Sequence, residues 1–194
     1  MKRTFDLIAV ILTSPVWVIL LSLVFIVSYF LQGSPVIFSQ SRTGKEEKIF
    51  TLYKFRTMEI STSSELDDTS LRITPLGDIL RRTSLDELPS LLNVLRGEMS
   101  IVGPRPLLPE YLDRYNNFQR RRHEVLPGIT GLAQISGRNA ISWEEKFKYD
   151  VDYVENNSLF IDVCIIFRTL TKIFSSKDIN HEEDRTMPIF RQKK

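Results

Sequence analysis

The sequence is poor in the residues that build disulfide and zinc sites. Its single cysteine, Cys164, has no partner for an internal disulfide. The two histidines, His123 and His181, lack the spacing of zinc ligands. There is also no excess of one charge, because 26 Lys and Arg face 24 Asp and Glu. A nearly neutral balance is not typical of proteins that bind nucleic acid, so we expect no nucleic-acid partner.

Charge is missing altogether from residues 7–31, a run of 25 residues of which 20 are apolar. A single helix over this run would be roughly 37 Å long, enough to cross a hydrocarbon core of about 30 Å. The run is longer than the apolar part of a cleavable signal peptide, and no small-x-small cleavage site follows it. The sequence therefore predicts a membrane segment.

Ser14 and Pro15 interrupt the apolar run, and a proline removes one helical hydrogen bond. The two halves would be roughly 10 Å and 24 Å long, so that neither alone crosses about 30 Å. Basic residues flank both ends, with Lys2 and Arg3 before the run and five Lys or Arg between residues 42 and 56. Such flanks favour the cytoplasmic side. A re-entrant hairpin broken at Ser14-Pro15 fits both flanks, but an ordinary kinked transmembrane helix remains equally open.

The remaining sequence predicts an α+β fold, mostly helical with a small β-hairpin. Short β-rich runs at residues 36–38 and 48–53 surround a turn at Thr43-Gly44, and residues 59–74 form a polar loop. The last predicted helix is apolar on nearly every side, so we expect it to be buried or to lie against a membrane. Hydrophobic periodicity predicts helices over residues 76–82, 88–95 and 109–124, and over Trp143–Asn156 and Leu159–Phe174.

The sequence SLDEL at residues 84–88 is the most informative motif. Ser84 and Glu87 have the spacing of a helix capping box, which is the structural interpretation. Alternatively the helix starts close to Pro89, because proline is favoured in a first turn. Both interpretations place Asp86 and Glu87 beside a helix N-terminus, which attracts phosphate. Asp86 is therefore a candidate nucleophile on phosphorus, and Glu87 a candidate ligand for magnesium.

Basic residues elsewhere are candidate phosphate contacts. Arg81 lies just before the SLDEL motif and would strengthen its attraction for phosphate. Pro104 and Pro106 fix the backbone around Arg105, whose planar side chain suits phosphate, although a plain proline-rich turn explains the same pattern. Arg138 lies in the glycine-punctuated residues 127–139, and a flexible glycine loop explains that pattern equally well. Lys54 shares a strand face with Arg56, and an exposed strand face explains that pattern equally well.

Four motifs occur together in one order: YKFRTM at 53–58, SLDEL at 84–88, GPRP at 103–106, and the glycine loop at 127–139. In this combination the chain resembles the bacterial sugar transferase family of monotopic polyprenyl-phosphate phosphoglycosyl transferases, and most closely its small, catalytic-domain-only, PglC-like members. The resemblance extends from the apolar segment to about residue 174.

The resemblance implies a re-entrant membrane helix within residues 1–34, a catalytic domain at the membrane interface over residues 35–176, and a polar tail over residues 177–194. Interfacial amphipathic helices would hold the catalytic domain on the cytoplasmic face of the bacterial inner membrane. Membrane lipids are thus expected contacts, and a homodimer stays open.

The resemblance also implies a reaction. Asp86 attacks the β-phosphate of a UDP-sugar, UMP departs, and a phosphosugar-aspartyl intermediate forms. Polyprenyl (undecaprenyl) phosphate then takes the phosphosugar, with Mg²⁺ as cofactor near Glu87. Arg81, Arg105 and Arg138 are implied contacts to phosphate or nucleotide. Two other classes remain open on the residues alone: a membrane-anchored scaffold that binds a nucleotide-sugar without turnover, and an ordinary glycosyltransferase that releases UDP.

Overall fold

In the computed structural model, which describes residues 1–59, 73–137, 141–174 and 190, the N-terminal apolar run forms two consecutive helices. Helix α1 spans Lys2–Leu12 and helix α2 spans Ser14–Gln32. Thr13 separates them, directly before the predicted Ser14-Pro15 position, and its hydroxyl donates to the carbonyl of Ala9 at 2.7 Å. Pro15 lies in the first turn of α2, where a missing N–H breaks no helical bond.

Helix α1 packs against the globular part of the chain through its polar residues. The carboxylate of Asp6, 1% exposed, accepts hydrogen bonds from Ser100 Oγ at 2.8 Å and from Ile101 N at 3.2 Å. Lys2 Nζ lies 2.6 Å from Asp162 Oδ2. Because burying an unpaired carboxylate is costly, these bonds fix the position of α1.

Helix α2 is long and apolar enough to cross a membrane by length and composition, with a mean hydropathy of 2.2 and 6% of the apolar window buried. Its C-terminal end returns to the globular part, where the guanidinium of Arg56 donates to the carbonyls of Gln32 and Gly33. An arginine at this end satisfies carbonyls that have no helical partner. Both ends of the helix pair therefore contact the same globular part.

The predicted hairpin is confirmed, with strand β1 at Ile37–Thr43 and strand β2 at Ile49–Phe55 in antiparallel register. A second sheet, which the sequence analysis missed, joins strand β3, Ser100–Val102, to strand β4, Gly128–Thr130, in parallel. A Cβ at Gly128 would lie 2.1 Å from the nitrogen of Gly103, so only glycine permits this approach. The close contact fixes the start of the GPRP loop.

Two α-helices and a 3₁₀ turn occupy the region of the SLDEL motif. Helix α3 spans Pro75–Arg82 and helix α4 spans Leu91–Arg96. Between them Leu85–Ser90, here called the dyad segment, forms a 3₁₀ helix that contains Pro89. The helix predicted over residues 88–95 thus begins as 3₁₀ and becomes α-helical at Leu91.

The capping box predicted at Ser84 and Glu87 is wrong. Ser84 adopts a left-handed backbone conformation, with φ 57°, and its side chain makes no cap hydrogen bond. A capping serine needs an extended backbone to direct its hydroxyl at the helix N–H groups. The left-handed Ser84 instead turns the chain sharply between α3 and the dyad segment, and Glu87 contacts other residues.

The single helix predicted over residues 109–124 is also wrong. Tyr115 is extended, with φ −80° and ψ 136°, and Asn116 starts a new helix with a capping box that includes Gln119. A residue that caps its own short helix competes with continuation of the preceding one. The region consists of a 3₁₀ turn at Pro109–Arg114, helix α5 at Asn117–Arg120 and a 3₁₀ turn at Arg121–His123.

Three helices complete the described chain, with the bounds of the last two as predicted: α6 at Leu132–Ser136, α7 at Trp143–Asn156 and α8 at Leu159–Phe174. One face of α8 is buried through Ile165, whereas Phe160 and Phe167 are 78% and 67% exposed. An exposed apolar face of this kind favours contact with lipid or protein. The expected mostly helical fold with small sheets is confirmed.

Two predicted segments lie largely outside the described residues. They are the polar loop, of which residues 60–72 are not described, and the polar tail over residues 177–194. Within the tail, Phe190 is described and is 4% exposed. It packs into an aromatic cluster with Tyr111, Tyr115 and Phe147, so this residue contributes to the core.

Candidate active site

The dyad segment packs on strand β2. Ser90 Oγ donates to the carbonyl of Tyr53 at 2.9 Å, and Leu85 and Leu88 pack in the hydrophobic cluster around Phe55. These contacts hold Asp86, 9% exposed, and the neighbouring Glu87 at the edge of the hairpin. The segment is short, so its packing rather than helical propensity determines where the two carboxylates lie.

Glu87 is paired with two cations from other parts of the chain. The Lys54 ammonium of β2 contacts Glu87 Oε1, and Arg105 Nη1 of the GPRP loop lies 3.0 Å from the same oxygen. Burial by itself would raise the pKa of Glu87, but Lys54 and Arg105 together hold that pKa at about 2. Glu87 is therefore ionised at any physiological pH.

Asp86 has the opposite shift. Burial raises the pKa of Asp86 to about 6, and the negative charge of Glu87 adds to this increase, whereas Lys54, Arg105 and Arg81 act against it. Two adjacent carboxyl groups whose pKa values are shifted in opposite directions are typical of sites in which each group has a different chemical role. Near neutral pH Asp86 is still mostly ionised and is more basic than an ordinary aspartate. The positive charges of Lys54, Arg105 and Arg81 act on it.

Arg81 reaches the dyad from helix α3. A Cβ at Gly77 would lie 2.0 Å from the carbonyl oxygen of Thr57, so glycine lets α3 pack directly on the end of β2. Arg81 Nε then donates to Thr57 Oγ1 at 3.2 Å, and its charge lowers the pKa of Asp86. The structure thus places the Arg81 charge near enough to Asp86 to act on its carboxylate, without a direct contact among the recorded bonds. Arg56, from the same predicted strand face as Lys54, goes instead to the end of α2.

The GPRP loop is held by its backbone. The carbonyl of Pro104 accepts from Gly128 N at 3.0 Å, and the carbonyl of Arg105 accepts from Arg122 Nη2 at 2.7 Å. Pro106 lines the same cavity as the Arg105 side chain. The structure therefore brings Lys54, Arg81 and Arg105 to the dyad. Arg138, the remaining predicted contact, lies outside the described residues.

Two buried residues behind the loop were missed by the sequence analysis. Arg122 is 3% exposed and forms bonds of 2.8 and 3.0 Å to Asp150, 4% exposed. By its sequence the run Arg-Arg-Arg-His at residues 120–123 predicts either a basic patch for anionic headgroups or a solvated helix face. For Arg122 and His123 both predictions are wrong, because these residues are buried. In a run of like charges, no sequence signal distinguishes a buried arginine from its exposed neighbours, so the burial of Arg122 could not be predicted.

A small cavity, open to solvent, lies beside the dyad. Glu87, Lys54 and Arg105 line it, together with Arg42 of strand β1. Sequence analysis treated Arg42 only as a basic flank of the membrane segment. Arg42 lies between Ser41 and Thr43, so no hydrophobic alternation indicates which face of its strand meets the dyad segment.

The chemistry of the dyad is compatible with magnesium. Mg²⁺ is usually held by one or two carboxylates and completed by substrate phosphates and water. Among the described parts of the chain no group of three or more acidic, histidine or cysteine side chains is placed to hold a metal. Asp86 and Glu87 supply two carboxylates, and both recorded cation contacts of Glu87 are at Oε1. Asp86 and Glu87 therefore fit a magnesium ion whose remaining ligands come from a bound phosphate and water.

The sequence pattern of the family described as bacterial sugar transferase matches residues 1–176, so the chain belongs to this family and is an enzyme of the phosphosugar transferase type. It is 50% identical over 193 residues to the uncharacterized sugar transferase EpsL of Bacillus subtilis (strain 168), covering 98% of this chain and 95% of that protein.

Two longer relatives carry more specific names. The undecaprenyl-phosphate galactose phosphotransferase of Salmonella typhimurium is 36% identical over 192 residues, which cover 87% of this chain and 39% of that protein. The UDP-N-acetylgalactosamine-undecaprenyl-phosphate N-acetylgalactosaminephosphotransferase of Aeromonas hydrophila is 34% identical over 184 residues, 90% of this chain and 44% of that protein. The two names differ in their sugar.

Proposed function

We propose that this enzyme transfers a phosphosugar from a UDP-sugar to polyprenyl phosphate, with UMP and polyprenyl-diphosphate-sugar as products. The paired carboxylates carry this proposal, because Glu87 is fully ionised by its cation partners while Asp86 stays a more basic, buried nucleophile. Family membership and the names of the longer relatives support transfer of a sugar phosphate to a lipid carrier.

In the proposed first step an Asp86 carboxylate oxygen attacks the β-phosphorus of the UDP-sugar. The bond from that phosphorus to the bridging oxygen breaks, and the oxygen leaves with its electron pair on UMP. Arg81 and Arg105 neutralise charge on the phosphates, while the paired Glu87 keeps Lys54 and Arg105 in place. The product of this step is a phosphosugar linked to Asp86.

In the proposed second step a phosphate oxygen of polyprenyl phosphate attacks the same phosphorus. The bond to Asp86 breaks, the carboxylate is restored and the polyprenyl-diphosphate-sugar leaves. One substrate is soluble and the other is embedded in lipid, so the site must lie at the membrane interface. The exposed apolar faces of α2 and α8 are suited to hold the catalytic residues at that height.

Magnesium belongs to this proposal as cofactor. Glu87, with Asp86 beside it, would hold the ion together with diphosphate oxygens. When bound, the ion supplies positive charge that offsets the negative charge of the phosphates.

We also place the protein monotopically at the cytoplasmic face of the bacterial inner membrane. The contacts of α1 with Asp162 and Ser100, and of the end of α2 with Arg56, support an anchor that enters and leaves on one side. Single-cysteine variants Thr4→Cys and Ser39→Cys, each in a Cys164→Ser background, test this topology. In intact spheroplasts neither cysteine should react with an impermeant maleimide, and both should react after permeabilisation. If α2 crossed the membrane, one of the two cysteines would react without permeabilisation.

The deciding experiment uses the protein in nanodiscs with magnesium and a panel of UDP-sugars, first without lipid acceptor. We expect UMP release and an added phosphosugar mass on the protein with one donor. Asp86→Asn should abolish both while the protein stays folded, and Asp78→Asn, which alters an exposed carboxylate, should change neither.

Other outcomes identify the competing functions. UDP as product indicates an ordinary glycosyltransferase. Absence of turnover with every donor, also after addition of polyprenyl phosphate, indicates a binding or scaffolding subunit. UMP release that appears only with the lipid phosphate keeps the enzyme but excludes an intermediate that accumulates.

A further inference from the structure

Arg42 lies beside the dyad and has unused hydrogen-bonding capacity. Its Nη2 donates to Gln40 Oε1 at 2.7 Å and its Nη1 to the carbonyl of Pro106 at 3.3 Å. Within the described residues, the buried Nε has no hydrogen-bond acceptor. A buried donor without an acceptor is costly, so a ligand that supplied one would recover free energy.

The cavity beside Arg42 is strongly cationic. Its charged lining residues are Arg42, Lys54, Arg105 and Glu87, an excess of two positive charges. These cations repel one another: burial and then Arg105 lower the pKa of Arg42 to about 10, and the same two causes lower the pKa of Lys54. The single acidic group already contacts Lys54 and Arg105. Arg42 has no carboxylate partner among the described side chains, so an anionic ligand is the natural complement.

The proposed reaction creates such an anion. When the bond between the two phosphates breaks, the bridging oxygen becomes a terminal oxygen of the leaving UMP. The leaving phosphate thereby gains one negative charge in the step that forms the aspartyl intermediate. A rigid guanidinium that is already in position stabilises the developing charge without reorganisation.

We infer that Arg42 binds the phosphate of the departing nucleoside monophosphate, with Gln40 and the Pro106 carbonyl orienting its guanidinium. This inference rests on the proposed function, because it assigns a residue to the donor side of the same site. Arg42 thus differs in role from Arg81, whose charge acts on Asp86 by lowering its pKa.

Binding of UMP and of uridine to the nanodisc-held protein tests the inference. Arg42→Gln should weaken UMP binding about 10- to 100-fold, the usual loss for one charge-assisted hydrogen bond, and leave uridine binding unchanged. Arg42→Lys should recover part of the loss, since it keeps the charge without the planar guanidinium. Arg120→Gln, which removes a half-exposed arginine paired with Glu47, should change the binding of neither ligand.

A double variant separates direct contact from support of the GPRP loop. If Arg42 touches the phosphate, Arg42→Gln weakens UMP binding further in an Arg105→Gln background. No additional loss there, an equal loss of uridine and UMP binding, or unchanged UMP binding in Arg42→Gln would each overturn the inference. Failure of the proposed function looks different, because the wild-type protein would then release no UMP from any UDP-sugar, with or without polyprenyl phosphate, whatever its affinity for UMP.

Discussion

The ammonium of Lys54 contacts Glu87 Oε1, which joins strand β2 to the dyad segment by a largely buried ion pair. The two residues are 33 positions apart in the sequence. Lys54 therefore acts on the dyad by charge, and its effect extends to Asp86, whose pKa it lowers.

Removal of that charge should alter the pH dependence of the first step. In Lys54→Met the pKa of Asp86 rises, so the acid limb of UMP release moves to higher pH. A shift of one pH unit corresponds to about tenfold in rate on that limb. Single-turnover UMP release across pH measures it. Lys48→Met, which removes a lysine that is 79% exposed on the same hairpin, should leave the profile in place. An unshifted profile in Lys54→Met would contradict the charge coupling.

The wild-type protein should lose activity as pH falls through about 6. Burial and Glu87 raise the pKa of Asp86 to about 6, and only the ionised carboxylate attacks phosphorus. The rate of adduct formation should thus be constant well above pH 6 and fall about tenfold per unit below it. Intact-protein mass after timed mixing measures this rate. An acid limb near pH 4 would instead indicate an unperturbed aspartate.

The buried pair of Arg122 and Asp150 should be essential for stability. Asp150→Asn leaves the Arg122 charge without its partner and should reduce the free energy of unfolding by about 3–5 kcal/mol. Denaturant unfolding in detergent measures the change. The exposed pair of Arg121 and Glu155 is the matched control, and Glu155→Gln should cost at most about 1 kcal/mol. Similar costs for the two variants would refute the difference in burial.

His123 should make the protein sensitive to acid. Burial, and then the charge of Arg122, lower the pKa of His123 to about 4, and its Nδ1 donates to the carbonyl of Gly44 at 3.1 Å. Between pH 6.5 and 4 the unfolded chain binds a proton that the folded protein does not. The free energy of unfolding therefore decreases by up to about 3 kcal/mol as the pH is lowered through this range. Unfolding midpoints across this range measure the slope. His123→Asn should flatten it, and an unchanged slope would exclude His123 as the cause.

Local patterns predicted a large part of the fold correctly. The apolar run, the hairpin and the bounds of α7 and α8 follow from hydrophobicity and turn residues close together in the chain. The failures at Ser84 and at residues 109–124 have different causes. At residues 109–124 the local capping box of Asn116 and Gln119 starts a new helix. At Ser84 the local sequence permits two backbone conformations, and packing of the dyad segment on strand β2 decides between them.

By itself the sequence determined the apolar N-terminal segment, the mostly helical class and the presence of Asp86, Glu87, Lys54, Arg81 and Arg105 as candidate site residues. Only the tertiary structure decided that Glu87 is the paired carboxylate and Asp86 the one with the raised pKa. The tertiary structure also decided that Arg42 lines the cavity, through the register of the hairpin, and that Arg122 is buried. The physical reason is that a pKa depends on desolvation and on charges within a few ångströms, and most of those charges come from segments far apart in the sequence.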